Sequence, residues 1–570
     1  MKNKWHIHQP DKKLVDKISK AIKCSPVIAS ILVNRGIFSA EEAHAFLNIS
    51  IDNLRSPFSI KDMEIAANRI YDAILRREKI LIFGDYDADG VTSTALLMEF
   101  FRHTKADVSY YIPDRIKEGY GLQEKHIAEI AIPGNIDLII TVDCGSSSNE
   151  AVAAANDADI DIIITDHHIL PEKLPEALAI ISPKRPDCNS GLSHLAGVGV
   201  AFYLVIYLRK YLRDMHFWDR YPEPNLKNLC DLIALGTVAD MVPLLEENRV
   251  FTRIGLDLIN SGSRIGISAL LKAGNYRDTI DSEDIAFRLA PRINAMGRID
   301  NAKEAVELLL TGNPYTADNI ARQMNQMNTK RQTIEKKVFD EIIEYIQNNP
   351  DILLSKSIVL SHHGWHEGIL GIVASRLVEK FHRPVVLFVQ KETIAKGSGR
   401  STPYFNLYEG LAACSDILEA FGGHSMAAGV KIKIDNLSLF KQEFENAVLK
   451  MSQPEDLFPD IYVDHELIFD DISTGFLDEL ESLKPFGAGN PEPIFIARNI
   501  NVISSDIVGE NHRRMVLSSS SGKKDNYYNA IHFNIDKSLP EKTIYEQIAF
   551  RLRWNRWNGN KSIQLVIENI

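Results

Sequence analysis

Short apolar runs alternate with helix-length stretches through the first half of the chain. Ile80 to Phe83 is one such run, and it ends in Gly84-Asp85. Thr92 to Phe101 then reads as a helix. Asp137 to Val142 is a second run ending in Asp143, and Ile160 to Thr165 a third ending in Asp166-His167-His168. Strand-like runs separated by helices predict βαβ units and a parallel sheet, with right-handed crossovers.

Residues 195–345 read as mostly helical. An apolar run, Leu226 to Ala239, reaches Asp240. Ala317 to Gln347 is a long polar helix carrying Arg322, Lys330, Arg331, Lys336 and Lys337, read as a solvated connector. A second α/β pattern follows, with strands at Ser357–Leu360 and Val385–Val389 and a helix over Glu367–Phe381. Pro454 to Pro459 reads as a linker. Residues 460–570 show short strands ending in a hairpin, Ile548–Trp554 and Ser562–Ile567 about Asn558-Gly559-Asn560, which predicts a small β-barrel. The expected division is 1–60 (helical segment, with a cap-like Ser39 and Glu42), 61–245 (catalytic α/β), 246–350 (helical connector), 351–453 (second α/β) and 454–570 (barrel).

Composition narrows the class. The chain has 570 residues, 45% hydrophobic and 25% charged, which suits a folded multidomain protein. Its net charge is −12, so contact with an anionic polymer must rely on local basic grooves or on metal ions. Five scattered cysteines without CxxC spacing disfavour a disulfide framework or a thiolate zinc site and fit a reducing compartment. The first residues lack an apolar signal core. The longest uncharged apolar run, Leu195 to Leu208, is short of the roughly 20 residues a span requires. A soluble cytoplasmic protein without membrane attachment is expected.

The chemistry lies in a coincidence of placement. Three strand-like runs end in Asp85-Tyr86-Asp87-Ala88-Asp89, Asp143 and Asp166-His167-His168, and a fourth apolar run ends in Asp240. Sites in open parallel sheets form beyond the carboxyl ends of the strands. A lone aspartate there is usually a helix cap, but repetition across successive runs weakens that account. Clustered carboxylates raise one another's pKa unless a cation intervenes. Carboxylates with imidazole and no thiolate favour Mn2+ or Mg2+. The donors suffice for two divalent ions, an arrangement suited to phosphoester hydrolysis.

The chain resembles the DHH phosphoesterase superfamily. The likeness is carried by Gly84-Asp-Tyr-Asp-Ala-Asp-Gly90, Val142-Asp-Cys-Gly145, Asp166-His-His168 and Gly236-Thr-Val-Ala-Asp240, in that order. Trp365 to Arg376, Gly397-Ser-Gly-Arg-Ser401 and Phe421-Gly-Gly-His424 resemble the DHH-associated domain. Pro485 to Pro493, with Trp557-Asn-Gly559 and Gln564-Leu565, resembles the C-terminal part of the RecJ family. That family implies a single-stranded-DNA-specific 5′→3′ exonuclease that releases 5′-mononucleotides and acts in repair and recombination. It also implies a parallel-sheet DHH domain, a helical connector, a DHH-associated α/β domain and an OB-fold.

The resemblance implies that Asp87 and Asp143 hold one metal ion and that Asp89, Asp143, His167 and Asp240 hold the other, with Asp143 bridging. Some relatives have a ligating histidine where this chain has Phe83, so the first site would lean on Asp85. His168 is implied either to act on the scissile phosphate as acid or charge stabiliser, or to orient a ligand. Arg115, Ser398 and Arg400 are implied to bind the 5′-terminal phosphate, and His424 to touch the strand near the reacting phosphate. Arg292, Asn294 and Arg298 are candidates for tracking the DNA backbone, with interdomain bridging as the alternative. Gly197-Val-Gly199 is read as close helix packing, lacking the rest of a dinucleotide fingerprint. In the barrel, Arg551, Arg553, Trp554, Arg556 and Trp557, with Arg513-Arg514 and Tyr527-Tyr528, interleave charge and aromatics as single-strand binders do. Single-stranded DNA is the expected partner, with helicase and single-strand-binding protein as candidates, and a monomer is expected. The rival readings are a DHH phosphoesterase of short substrates (nanoRNA, cyclic dinucleotide or 3′-phosphoadenosine phosphate) and a non-catalytic DNA-binding scaffold.

Overall fold

The computed structural model describes residues 4–115, 117–276, 278–299, 301–452, 460–509, 511–519, 526–535, 542–557 and 560–570, and the side chains of 299, 557 and 560 are outside the description. The expected Pro454–Pro459 linker, the Asn558-Gly559 turn and the Trp557 side chain therefore lie outside the described residues.

Five strands form the first sheet, in the spatial order Asp107–Tyr111, Lys79–Gly84, Leu138–Val142, Asp161–Thr165, Ala179–Ile181, every neighbour parallel. Alternate residues of these strands enter two different cores. Ile80, Ile82, Leu138 and Ile140 face the helices Ala88–Arg102, Gly197–Asp214 and Cys230–Ala239. Leu81, Phe83, Ile139 and Ile162 face the opposite layer, with the helix Asn149–Asp157. Burial on both faces is why the runs are continuously apolar rather than alternating. Gly84 lies opposite Val142, and Val142 opposite Thr165. The strand ends are thus level, and Asp85, Asp143 and Asp166 leave the sheet side by side.

The helix Pro314–Asn348 corrects the expectation of a solvated connector. It is amphipathic, and its buried stripe serves two cores in turn. Ala317, Ile320 and Met324 join the catalytic core. Val338, Ile342 and Ile346 join the core of the next domain. That domain has a mixed sheet ordered Leu418–Gly423, Ala427–Lys433, Ile394–Arg400, Val385–Lys391, Ile358–His362, in which only the last two strands are parallel.

The C-terminal strands close a five-stranded barrel. Phe495–Val508 pairs on one side with His512–Ser519 and on the other with Ile544–Trp557, and Tyr527–His532 runs parallel to Asn560–Asn569. The first helices of the chain share the barrel's core: Val15, Ile18, Ile28 and Leu32 cluster with Leu480, Phe495 and Phe550. The strand Lys4–Ile7 pairs in parallel with Asp460–Val463.

Contacts close the domains into a circuit. Arg298 of the connector donates to the Gly368 carbonyl of the second α/β domain at 3.0 Å. Tyr404 of that domain donates to Asp460. Leu244 N donates to the Ala488 carbonyl at 2.7 Å, and buried Arg249 donates to the Leu483 carbonyl at 2.9 Å. These last contacts tie the C-terminal domain to the end of the catalytic domain and the start of the connector. Among the described residues, no helix is long and apolar enough to cross a membrane.

Candidate metal centre and nucleic-acid groove

The metal centre begins with a helix start. Asp87 Oδ1 accepts from Asp89 N at 2.9 Å and Gly90 N at 3.1 Å, so it caps the helix Ala88–Arg102. The helix therefore opens four residues before the expected Thr92, because capping satisfies its first free amides. Asp89 is buried, and Gly197 N and Val198 N donate to its two oxygens at 2.6 and 2.9 Å. The start of helix Gly197–Asp214 thus holds a ligand candidate in place. At Gly197 the close approach is to a ligand candidate rather than to a packed helix: a Cβ there would meet Asp143 Oδ1 at 2.7 Å. Gly236 plays the same part, since its Cβ would lie 2.9 Å from Asp89 Oδ1.

Two overlapping ligand groups result. Asp85, Asp87 and Asp143 offer oxygens within 4.8 Å of one another, and so do donor atoms of Asp89, His167 and Asp240. His167 Nε2 lies 3.1 Å from Asp143 Oδ1, 3.6 Å from Asp240 Oδ2 and 3.7 Å from Asp89 Oδ2. Asp143 therefore stands between the groups. Phe83 is buried behind the site against Tyr111 and His126.

The electrostatics call for cations. Burial raises the Asp143 pKa well above the carboxylate range, and Asp89, Asp87, Asp85 and Asp240 push it further. Burial, then Asp89 and Asp87, lift Asp240 to about 9. Burial and Asp87 lift Asp89 to about 7. His167 is pushed down to about 3 by burial and by His168, which keeps it neutral as a ligand must be. Asp85 Oδ1, Asp143 Oδ1 and His167 Nε2 are buried without a hydrogen-bond partner among the described residues. Converging orphaned oxygens with one neutral imidazole fit hard divalent cations.

His168 packs against the ligand candidates, its ring 4.6 Å from that of His167 and its Nδ1 3.9 Å from Asp143 Oδ1, but it is hydrogen-bonded to Asp166. Its Nδ1 lies 2.8 Å from Asp166 Oδ1, and Asp166 also accepts from Ser146 N at 3.0 Å. Burial works to lower the His168 pKa, but Asp166, Asp87 and Asp89 outweigh it and the net direction is up. The pKa of His424, which is exposed at the surface, is lowered by partial desolvation and by the charges of His168 and Lys184. Lys184, which follows the last strand of the first sheet, feels Asp240 and Asp166. The sequence reading did not single out Lys184 or Tyr120. For Tyr120 the available signal was its flanking by Gly119 and Gly121, both at positive φ.

Beside this centre three guanidiniums converge. Burial, then Arg115, Arg400 and Arg331, lower the Arg298 pKa to about 9. Burial and then Arg115 lower that of Arg400. None of Arg115, Arg298 and Arg400 makes a carboxylate ion pair among the described residues, whereas Arg115 stacks on Tyr86 at 5.0 Å. Arg400 Nη1 donates to Ser398 Oγ at 3.1 Å, and a Cβ on Gly371 would meet Arg400 Nη2 at 2.5 Å. The expected Arg115–Ser398–Arg400 group is thus flanked by the opening turn of helix Leu370–Phe381 and joined by Arg298. Mutually repelling, half-buried cations of this kind suit a phosphate.

Other candidates lie elsewhere. Arg292 is buried, and donates to Asn325 Oδ1 at 3.0 Å and to the Arg288 carbonyl at 2.5 Å within the connector. Asn294 Oδ1 accepts from Ala88 N at 2.8 Å, and so ties the connector to the metal-binding loop. Asn294 thus makes an interdomain contact, whereas the contacts of Arg292 stay within the connector. In the barrel, Glu492 takes Arg553 at 2.8 Å and Arg551 at 3.4 Å, and Arg553 also pairs with Glu283 of the connector at 2.8 Å. Tyr528 donates to the Ile472 carbonyl at 2.8 Å, Arg514 lies 3.6 Å from Asp506, and Lys561 covers Trp554 at 3.7 Å. Tyr527 and Arg556 remain exposed.

Comparisons with known proteins follow the same division. The DHH family N-terminal domain matches residues 79–237, the DHHA1 domain 353–450 and the RecJ OB domain 463–569. The single-stranded-DNA-specific exonuclease RecJ of Bacillus subtilis is 38% identical over 577 residues, covering 100% of this chain and 71% of the relative. That of Escherichia coli is 36% identical over 561 residues and 96% of each chain. The crystal structure of the Thermus thermophilus protein in complex with Mn2+ superposes with a TM-score of 0.83 at 28% identity, covering 99% of this chain and 79% of that one.

Proposed function

For a chain that belongs to the RecJ family of DHH phosphoesterases, we propose hydrolysis of single-stranded DNA from its 5′ end, with release of 5′-mononucleotides, in DNA repair and recombination. The observation that supports this reading best is the pairing of two adjacent donor groups, the carboxylates of Asp85, Asp87 and Asp143 and the set Asp89, His167 and Asp240, with arginines beside them that lack a carboxylate ion pair among the described residues. Mn2+ or Mg2+ bound to Asp85, Asp87, Asp143, Asp89, His167 and Asp240 would polarise the phosphodiester and activate water. Arg115, Arg298, Arg400 and Ser398 would bind the terminal phosphate and so select an end. His168 and His424 would approach the scissile phosphate from opposite walls of the groove. The closed circuit of domains fits a substrate threaded as a single strand and sterically excluded as a duplex. The complete ligand set distinguishes this chain from a non-catalytic scaffold, and the barrel argues against a substrate of only two nucleotides. The protein is read as a cytoplasmic monomer, with helicase and single-strand-binding protein as candidate partners.

The test is digestion of 3′-labelled single-stranded DNA with Mn2+ or Mg2+, using 5′-phosphate or 5′-hydroxyl ends, and with Asp143→Asn as control. Progressive shortening that is faster on 5′-phosphate ends, absent on blunt duplex and at least 1,000-fold slower in the variant, supports the reading (on the order of the losses seen when catalytic groups are removed). Cleavage confined to dinucleotides would move the assignment to the short-substrate branch.

A further inference from the structure

The three arginines of the pocket are not held alike. Arg298 Nη1 donates to the Gly368 carbonyl at 3.0 Å. Arg400 Nη1 donates to the Gly399 carbonyl at 2.7 Å and to Ser398 Oγ at 3.1 Å. The Arg115 guanidinium has no hydrogen bond or ion pair among the described residues, and lies over the Tyr86 ring, 5.0 Å from its centroid. The loop that carries Arg115 is nevertheless pinned. Glu118 accepts from Asp114 N at 2.6 Å and from Tyr111 Oη at 2.9 Å. At its far end the Tyr120 hydroxyl donates to the Asp143 carbonyl at 3.1 Å and lies 3.2 Å from His168 Nδ1. The main chain of Arg115 is thus placed by the loop, and its charged end by one aromatic ring.

That ring is itself fixed. Tyr86 stands between Asp85 and Asp87 in the loop of ligand candidates. The connector grips this loop from outside. Ala88 N donates to Asn294 Oδ1 at 2.8 Å. Gly297 approaches so closely that a Cβ there would lie 2.4 Å from the Tyr86 carbonyl oxygen and 3.3 Å from Tyr86 Cβ. The half-buried ring packs against the catalytic core. Arg115 is repelled by both Arg298 and Arg400, and a long side chain without a partner samples many rotamers. An aromatic face attracts a guanidinium through its quadrupole yet accepts none of its N–H groups in a conventional hydrogen bond. The ring therefore holds the cation while leaving its fork of donors for an anion.

We infer that Tyr86 is a positioning residue for end recognition: its ring holds the Arg115 guanidinium in place for a terminal phosphate monoester, and ties that phosphate to the loop of metal-ligand candidates. This rests on the reading of the arginine pocket given above. The role belongs to the aromatic face and not to the phenol hydroxyl, and it acts through Arg115 alone.

The test measures kcat and KM with Mn2+ on 5′-phosphorylated and 5′-hydroxyl single strands of one sequence. The proteins are the wild-type chain, Tyr86→Phe, Tyr86→Leu, Arg115→Ala and the double variant of the last two. The preference for the phosphorylated strand is a ratio taken within one preparation, so a partly inactive sample does not alter it. Tyr86→Phe should keep the wild-type preference within twofold. Tyr86→Leu should lower it about fivefold, through KM, as loss of a cation–aromatic contact does, with Mn2+ affinity by calorimetry within twofold of wild type. Adding Tyr86→Leu to Arg115→Ala should change the preference no further, because the two act as a unit. An undiminished preference in Tyr86→Leu would overturn the inference. So would an equal loss in Tyr86→Phe, a further loss in the Arg115→Ala background, or weakened Mn2+ binding, each of which would place the role of Tyr86 elsewhere. A wild-type chain that digests both strands equally would remove the pocket reading itself, and the inference with it.

Discussion

At the scale of the residue, the dominant fact is charge crowded where water is excluded. Asp89 and Asp240 carry pKa values of about 7 and about 9, raised by burial and by their acidic neighbours. A carboxyl whose folded pKa exceeds its unfolded value stabilises the fold only while it is protonated. That contribution is complete below about pH 4 and is lost as pH rises toward 9. Divalent ions replace the protons as counter-charge. The melting temperature measured in EDTA should therefore fall between pH 5 and pH 9 by more than it does in Mn2+, and calorimetry should detect protons released on metal binding at pH 7. Equal pH dependence with and without metal would show that these groups ionise freely.

At the scale of the element, the site depends on helix starts as much as on strand ends. The strand ends supply Asp85, Asp143 and Asp166, while the first turns of helices Ala88–Arg102 and Gly197–Asp214 hold Asp87 and Asp89 by their backbone amides. Such an approach leaves no room for a side chain at Gly197. Gly197→Ala would press a methyl group against the Asp143 carboxylate. It should weaken Mn2+ binding at least tenfold and reduce exonuclease activity at least as much, while far-UV circular dichroism stays unchanged. A fully active Gly197→Ala protein would show that the carboxylate has slack the geometry does not reveal. The strand runs with their acidic ends were legible in the sequence, because a buried parallel strand must be continuously apolar and must stop where polarity begins. The amides that hold Asp89 were not, because backbone groups carry no residue signature.

At the scale of the whole molecule, the basic and aromatic residues of the barrel divide between two tasks. Arg553 joins Glu492 within the barrel to Glu283 on the connector. Removing its guanidinium leaves Glu492 largely buried with less counter-charge. Arg553→Ala should thus destabilise the protein by about 1–2 kcal/mol, with single-stranded-DNA affinity within twofold of wild type. A large loss of affinity at unchanged stability would return Arg553 to the DNA-binding surface. The helix Pro314–Asn348 makes the same point in another way. Its charges suggested a solvated rod, yet one stripe of it is shared between two cores, an outcome that depends on which domains flank it.

Local sequence determined a good deal of this protein. Apolar runs of strand length specified a parallel sheet, and their acidic ends specified a metal centre. Short alternating runs near the C-terminus specified a barrel. These follow from the chain alone because burial and hydrogen bonding constrain each segment before it meets its neighbours. Tertiary structure decided the rest: that Arg298 joins Arg115 and Arg400, that Arg292 and Asn294 bridge elements within the protein, that the first helices complete the barrel core, and that Tyr120 reaches both Asp143 and His168. Each of these pairs residues far apart in sequence. Their energetics depend on the partner's charge and distance, which only the folded chain sets.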